Sequence, residues 1–110
     1  MRARFTILAL LMAPLAATPA LADRTLVAEG RAIAQKACGR CHATGRAGDS
    51  PNPKSPPFRT LSKRYPISSL EEALGEGIVV GHEGVDMPEF RLGARQIEAL
   101  LAYLQSIQKR

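Results

Sequence analysis

The sequence predicts one small all-α domain of three to four helices. Two segments, residues 25–37 and 97–107, repeat apolar side chains with the period of an α-helix. Between them, Ser68 and Glu71 form the Ser-x-x-Glu pattern that commonly starts a helix. The one run that favours a strand, residues 78–80, has no evident pairing partner. A length of 110 residues leaves room for a single domain.

The first 22 residues have the three-part layout of a secretory signal peptide. Arg2 and Arg4 give a basic start, and residues 5–13 form an almost unbroken apolar run. Ala20 and Ala22 are small residues before a cleavage point. The apolar run is shorter than the ~20 residues of a permanent membrane span. We therefore predict export, cleavage after Ala22 and a folded domain of residues 23–110. An uncleaved N-terminal anchor is the alternative.

The predicted domain has little material for a hydrophobic core. Without Arg2 and Arg4 it keeps 13 basic and 10 acidic side chains, a net charge of +3. Chains of this size bury only about 60–65% of their unfolded surface. The only two cysteines, Cys38 and Cys41, are too close in sequence for a disulfide to constrain much of the chain. A bound group is therefore expected to complete the core. The aromatic residues of the domain are Phe58, Tyr65, Phe90 and Tyr103.

The first predicted helix, residues 25–37, carries a stripe of small and apolar residues and leads directly into Cys38. Such a stripe lets a second helix approach closely. Residues 43–57 follow as a loop, because prolines at 51, 53, 56 and 57 exclude helix. The stripe consists of Leu26, Gly30, Ile33, Ala34 and Ala37.

Three further elements complete the predicted order. A short helix spans residues 58–64, and the helix that opens at Ser68 turns Leu70, Ala73 and Leu74 inward and ends near residues 75–77. Residues 78–92 form a second loop, because glycines and a proline interrupt regular structure there. The last helix places Tyr103 at the edge of one apolar face. That face consists of Ile97, Leu100, Leu101, Leu104 and Ile107.

The motif that carries chemistry is Cys38-Gly39-Arg40-Cys41-His42. C-x-x-C-H is the spacing for attachment of c-type haem. Two thiols on one turn can each form a thioether with a haem vinyl group, and the adjacent histidine can then bind the iron. A thioredoxin-like pair would need a preceding strand, which is not indicated. A zinc site would need His82 as the fourth ligand beside the motif, at no standard spacing.

Met87 is the candidate for a second iron ligand. It stands 45 positions after His42, in Asp86-Met87-Pro88, and is the only methionine of the predicted domain. A thioether is a soft ligand that raises the reduction potential of haem iron. Methionine can also simply fill a core, but this one lies on no periodic apolar face. His82 is the rival ligand, and its alternative role is that of an exposed loop residue.

These motifs resemble those of the small bacterial class I cytochromes c, over nearly the whole predicted domain. The resemblance rests on the Cys38–His42 motif, the Met87-Pro88 loop and Ala102-Tyr103-Leu104 in the last helix. It implies a fold in which three to four helices wrap around one haem c. It also implies thioethers at Cys38 and Cys41 and iron ligation by His42 and Met87.

The resemblance implies further contacts around this site. Gly30, eight residues before the first cysteine, marks a close crossing with the last helix at Leu100 and Tyr103. The family's usual aromatic residue four positions before the first cysteine is replaced by Ala34. A proline carbonyl, that of Pro57 with Pro56 as the alternative, accepts the second ring N–H of His42. Arg46 or Arg59 is a candidate partner for the haem propionates.

The expected function is that of a periplasmic electron carrier, rather than an enzyme. Iron whose two axial positions are both filled has no open position for a substrate. The function that such a site favours is therefore the transfer of single electrons. Alternatives are a haem subunit of a specific oxidoreductase complex, or a protein that binds peroxide or a gas when Met87 dissociates. We expect a monomer or weakly associated subunit with no permanent membrane span, and export makes nucleic acid an improbable partner.

Redox partners with acidic docking surfaces are expected, because basic residues flank the attachment motif. Ordinary solvated charge is the alternative interpretation of this excess. The basic residues are Lys36, Arg40, Arg46, Lys54, Arg59, Lys63 and Arg64.

Overall fold

Three α-helices and two short 3₁₀ helices form the part of this chain that the structure describes. The computed structural model describes residues 13–15, 19–77, 81–82, 85–87 and 90–109. The predicted all-α class is confirmed, and a strand pair of two residues each is the only addition within those ranges. In chain order, the elements are α1 (Pro19–Cys38), a first 3₁₀ helix (Phe58–Lys63), a second 3₁₀ helix (Ile67–Ser69), α2 (Leu70–Glu76), β1 (Gly81–His82), β2 (Val85–Asp86) and α3 (Ala94–Ile107).

The core forms where α1 crosses α3. Gly30 is buried, and a Cβ atom there would collide with the carbonyl of Ala99 and lie 2.8 Å from the Cβ of Tyr103. Ala34, one turn further along α1, has no exposed surface. The crossing inferred at Gly30 is thus present, with Tyr103 at the contact as predicted and the carbonyl of Ala99 nearest to Gly30. The missing side chain of Gly30 is what allows the two backbones to approach.

The buried face of α3 is wider than its apolar stripe predicts. Tyr103 is only 5% exposed instead of lying at the edge, and its hydroxyl donates a hydrogen bond to the carbonyl of Thr44. Ala99 is fully buried, because it faces Gly30. The predicted core positions are buried as expected, except that Leu101 is only half-buried. Helix α3 therefore packs on α1 and on the segment that follows the cysteine motif.

The middle of the chain follows the predicted order. Residues 43–57 contain turns and bends but no helix, as the prolines require. The short helix predicted at residues 58–64 is a 3₁₀ helix, and Arg64 closes it by donating its backbone N–H to the carbonyl of Leu61 at 2.9 Å. Phe58 and Leu61 are the buried residues of this element. The loop and the 3₁₀ helix together bring Phe58 next to the cysteine motif.

The capping box expected at Ser68 is wrong. Ser68 lies within the second 3₁₀ helix, and Ser69 is the residue that precedes α2, with no side-chain capping bond. The fixed φ of Pro66 (−59°) starts a helical turn earlier than the Ser-x-x-Glu pattern indicates, and its carbonyl accepts the N–H of Ser69 at 3.0 Å. A proline-initiated turn therefore takes the place of the serine cap.

Helix α2 ends where the glycines predict. Leu74 is buried, and Gly77 follows the helix with a φ of +88°, a conformation that favours glycine. Residues 78–80, the possible strand, lie outside the described residues. The strands that are described pair antiparallel, Gly81 opposite Asp86. Across the described ranges, every helix is too short or too polar to span a membrane.

Candidate functional site

The cysteine motif sits at the C-terminal end of α1. Cys38 is the last residue of the helix, and its carbonyl accepts the backbone N–H groups of Cys41 at 3.2 Å and of His42 at 3.0 Å. This turn gathers both thiols and the imidazole into one short segment. The two thiols are free and half-buried. Both are thus available for covalent attachment of a group, and Cys38 lines the adjacent cavity.

The imidazole of His42 is held in one tautomer. His42 is 6% exposed, and its Nδ1 lies 2.8 Å from the carbonyl oxygen of Pro56. A carbonyl can only accept, so Nδ1 carries a proton, and in the neutral imidazole the lone pair is therefore on Nε2, which is itself buried. The ring of Phe58 lies against the imidazole, with 4.8 Å between centroids. This aromatic contact was not predicted, since an isolated Phe after two prolines carries no pattern.

The proline that accepts this bond is Pro56, so the choice of Pro57 is wrong and the alternative is right. The carbonyl of Pro57 accepts the N–H of Thr60 at 3.1 Å and its Oγ1 hydroxyl at 2.9 Å. Pro57 precedes the first 3₁₀ helix, and its carbonyl is therefore used for the first helical bond. Sequence spacing does not distinguish two adjacent prolines, whereas the start of a helix does.

A single apolar cavity brings His42 and Met87 together. Both residues line it, together with Cys38 at the end of α1. Met87 is half-buried, and the side chain of its rival, His82, lies outside what the structure describes. Tyr65 and Phe90 also line the cavity, and Tyr65 is 38% exposed at its margin. The aliphatic lining residues are Ala37, Leu61, Leu70, Leu74, Leu92, Leu100 and Leu104.

Burial governs the titration of two groups at this cavity. It raises the pKa of the Cys38 thiol to about 11, so this thiol is neutral at physiological pH. Burial also raises the pKa of the Tyr65 phenol, and the nearby charge of Arg64 opposes this shift. Both side chains are therefore uncharged in the folded chain at neutral pH. The cavity thus presents apolar surface, a neutral thiol and a neutral phenol.

The two candidate propionate partners are engaged with the backbone. Arg46 donates to the carbonyl of Ser106 at 3.1 Å, and Arg59 donates to the carbonyl of Gly48 at 2.7 Å. Neither residue lines the cavity. A role of either one toward propionates stays a prediction.

The donor set fits haem better than it fits zinc. An apolar cavity lined by an imidazole, a thioether and the thiol of Cys38, with the thiol of Cys41 three residues further along the chain, has what a covalently attached porphyrin requires. A structural zinc site needs four ligands. Among the described side chains, no three or more histidine, cysteine or acidic residues are grouped so that they could hold a metal ion.

Comparison with known proteins gives one match. The family model for cytochrome c matches residues 27–108. No curated protein and no solved structure matches the chain. The matched range includes the cysteine motif, the cavity and all of α3.

Proposed function

This chain belongs to the cytochrome c family, whose members transfer electrons through covalently attached haem c, and we propose that it is a periplasmic carrier of single electrons. When bound, haem c supplies the exchange of one electron between ferric and ferrous iron. We assign Cys38 and Cys41 to the two thioether bonds. His42 and Met87 would be the two side chains that bind its iron.

The observation that carries this proposal is the cavity that joins His42 and Met87 across 45 residues of sequence. The bond from His42 to the Pro56 carbonyl orients Nε2 and increases its basicity. Met87 supplies a soft second ligand from a separate loop. The walls of the cavity are mainly aliphatic, as the apolar porphyrin ring requires. Because His42 and Met87 would occupy both remaining ligand positions of the iron, the site supports exchange of electrons rather than binding of a substrate.

Export is the second part of the proposal. The family match begins at residue 27, four residues after the first residue of the predicted domain, and thus leaves the predicted signal peptide outside. We propose cleavage after Ala22 and location in the periplasm, where c-type cytochromes function.

The test is to express the full chain in a bacterium that exports and matures c-type cytochromes. We expect a haem-stained band on a denaturing gel and an intact mass equal to residues 23–110 plus one haem. The ferric spectrum should contain the charge-transfer band of an iron–thioether bond. The double variant Cys38→Ser and Cys41→Ser, the control, should lose the stain.

Three results would contradict the proposal separately. A colourless, stably folded product would reject haem attachment. A mass that retains residues 1–22 would reject cleavage at Ala22. Fast binding of cyanide, with no thioether band, would reject Met87 as a stable ligand and favour a peroxide-binding or gas-binding protein.

We further propose that a basic surface beside Tyr65 docks acidic partners. Lys63 and Arg64 are exposed, and they lie between Leu61 and Tyr65, two residues that line the cavity. Positive charge at the margin of a redox cavity attracts acidic molecules and orients their approach. Docking of this kind is weak and brief, as electron transfer between diffusing proteins requires.

Reversing these two charges should slow electron transfer to an anion. In the variant Lys63→Glu plus Arg64→Glu, we expect oxidation of the reduced protein by hexacyanoferrate(III) to slow by about tenfold at low salt, the lower end of typical steering effects. The difference should shrink as salt is added, since exposed charges are screened. Stopped-flow absorbance measures both rates.

The matched control reverses the same number of charges elsewhere. Arg24 and Arg31 are exposed on α1, and Arg24 lies 14 residues before Cys38, or about 21 Å along a helix. Arg24→Glu plus Arg31→Glu should slow the reaction much less. Equal slowing in the two double variants would show that net charge, and not a local surface, sets the rate.

A further inference from the structure

The side chain of Gln108, the residue that follows α3, ties the end of the chain to the first 3₁₀ helix. Its Nε2 donates to the carbonyl of Phe58 at 2.8 Å and to that of Leu104 at 2.7 Å. Its Oε1 accepts the backbone N–H of Ser62 at 2.9 Å. Both amide protons and the carbonyl oxygen are thus used. Two of the three bonds reach residues about 50 positions earlier in the sequence.

The backbone segment that Gln108 holds, at Phe58, lies beside His42, the proposed iron ligand. Phe58 donates its backbone N–H to the carbonyl of Ala43, the residue after His42, at 2.9 Å. Its ring contacts the imidazole, and two residues before it Pro56 accepts the Nδ1 proton. Phe58 is therefore fixed on one side by the histidine segment and on the other side by Gln108.

The next residue strengthens this connection. The backbone N–H of Lys109 donates to the carbonyl of Arg59 at 3.1 Å, so two consecutive residues of the C-terminal segment bond two consecutive carbonyls of the first 3₁₀ helix. A segment that is bonded in this way has little freedom to rotate. The direction of the Pro56 carbonyl, two residues before Phe58, is limited by the same bonds.

We propose that Gln108 is a positioning residue for His42. It keeps the Phe58 segment in place and thereby keeps the Pro56 carbonyl in line with Nδ1 of the imidazole. Donation from Nδ1 to a carbonyl makes the imidazole a stronger ligand, which favours ferric iron. Loss of Gln108 therefore weakens this donation and favours ferrous iron. This inference rests on the proposed role of His42 as axial ligand.

The test is Gln108→Met in the haem-loaded protein, because methionine keeps the length and the neutral charge but removes the amide. At a fixed applied potential we expect the ferrous-to-ferric ratio to rise by about threefold, a small part of the ~10–100-fold effects of outer-sphere partners. The NMR signals of the His42 ring protons should shift as well. Gln108→Ala repeats both measurements if the methionine variant fails to fold.

Two controls separate positioning from simple stabilisation. Gln105→Met makes the same exchange at an exposed position three residues earlier, within α3, and should leave the ratio unchanged. Val27→Ala removes a partly buried contact of α1 that is not part of the cavity lining, so it should lower stability without moving the ratio.

The proposal is overturned if Gln108→Met lowers the denaturation midpoint but leaves the ratio and the His42 signals as in the unaltered protein. In that case the thioether band of the unaltered protein would still support His42 and Met87 as ligands. Absence of that band from the unaltered protein would instead remove the proposed function, and the inference with it.

Discussion

The variant Met87→Ala should lower the reduction potential by about 0.1 V or more, within the ~0.8 V range that axial ligands set. Met87 is the only methionine of the predicted domain, and it lines the same cavity as His42. Its thioether favours ferrous iron, so its removal stabilises the ferric state. The haem should remain attached, because its covalent bonds are assigned to Cys38 and Cys41 rather than to Met87. Spectroelectrochemical titration measures the potential, and a denaturing-gel haem stain measures attachment.

Phe90→Leu is the matched control for Met87→Ala. Phe90 also lines the cavity and is half-buried, but its side chain has no atom that can bind iron. Its replacement should change the potential much less and keep the thioether band. An unaltered potential in Met87→Ala would exclude Met87 as the ligand. The same variant of His82, His82→Ala, would then be the next one to measure.

The variant Gly30→Ala should destabilise the protein by about 3 kcal/mol, at the upper end of the usual cost of overpacking a core. The added Cβ would collide with the carbonyl of Ala99 and approach the Cβ of Tyr103 to 2.8 Å. Both obstacles belong to the frame of α3 and are not the ends of flexible side chains. The two helices must therefore move apart. Denaturant unfolding of the haem-loaded protein measures the loss.

Gly75→Ala provides the opposite result from the same chemical change. Gly75 is exposed near the end of α2, and a Cβ there would meet nothing closer than the Cδ1 of Ile97 at 4.0 Å. Alanine in an unobstructed helix is more stable than glycine by about 0.5–1 kcal/mol. A gain at Gly75 with a large loss at Gly30 would assign the effect to the helix crossing. Equal, small effects at both positions would contradict the close approach of α1 and α3.

Short-range patterns of the sequence predict most of this fold. The small-residue stripe of α1, the prolines of residues 43–57 and the apolar face of α3 each depend on a local rule. The rules fail where two local signals compete. At Ser68 the capping pattern predicts a helix start, but Pro66 starts the turn first. At residues 56 and 57 the spacing permits either carbonyl to accept the bond from His42. The first 3₁₀ helix uses the carbonyl of Pro57, so that of Pro56 accepts the bond.

The site is also predicted only in part, and the reason differs from that for the fold. The Cys38–His42 motif is contiguous, and Met87 is unique within the predicted domain, so both could be selected from the sequence. Phe58 and Gln108 reach the site through contacts between distant segments, and neither belongs to a pattern. A glutamine near a chain end resembles any solvated residue until its long-range partners are known. The side chains that orient the ligand were therefore missed, although the ligand candidates were not.

The crossing of α1 and α3 has a consequence for how the chain acquires its structure. Gly30 and Ala99, which touch in the folded protein, are 69 positions apart in sequence. Contacts of such high contact order form late, because a long loop must close before they contribute. A ribosome releases Gly30 well before Ala99, so α1 is synthesised before α3, the helix on which it packs, is available. The nascent polypeptide therefore lacks this helix crossing, and the core built on it, until α3 has been synthesised.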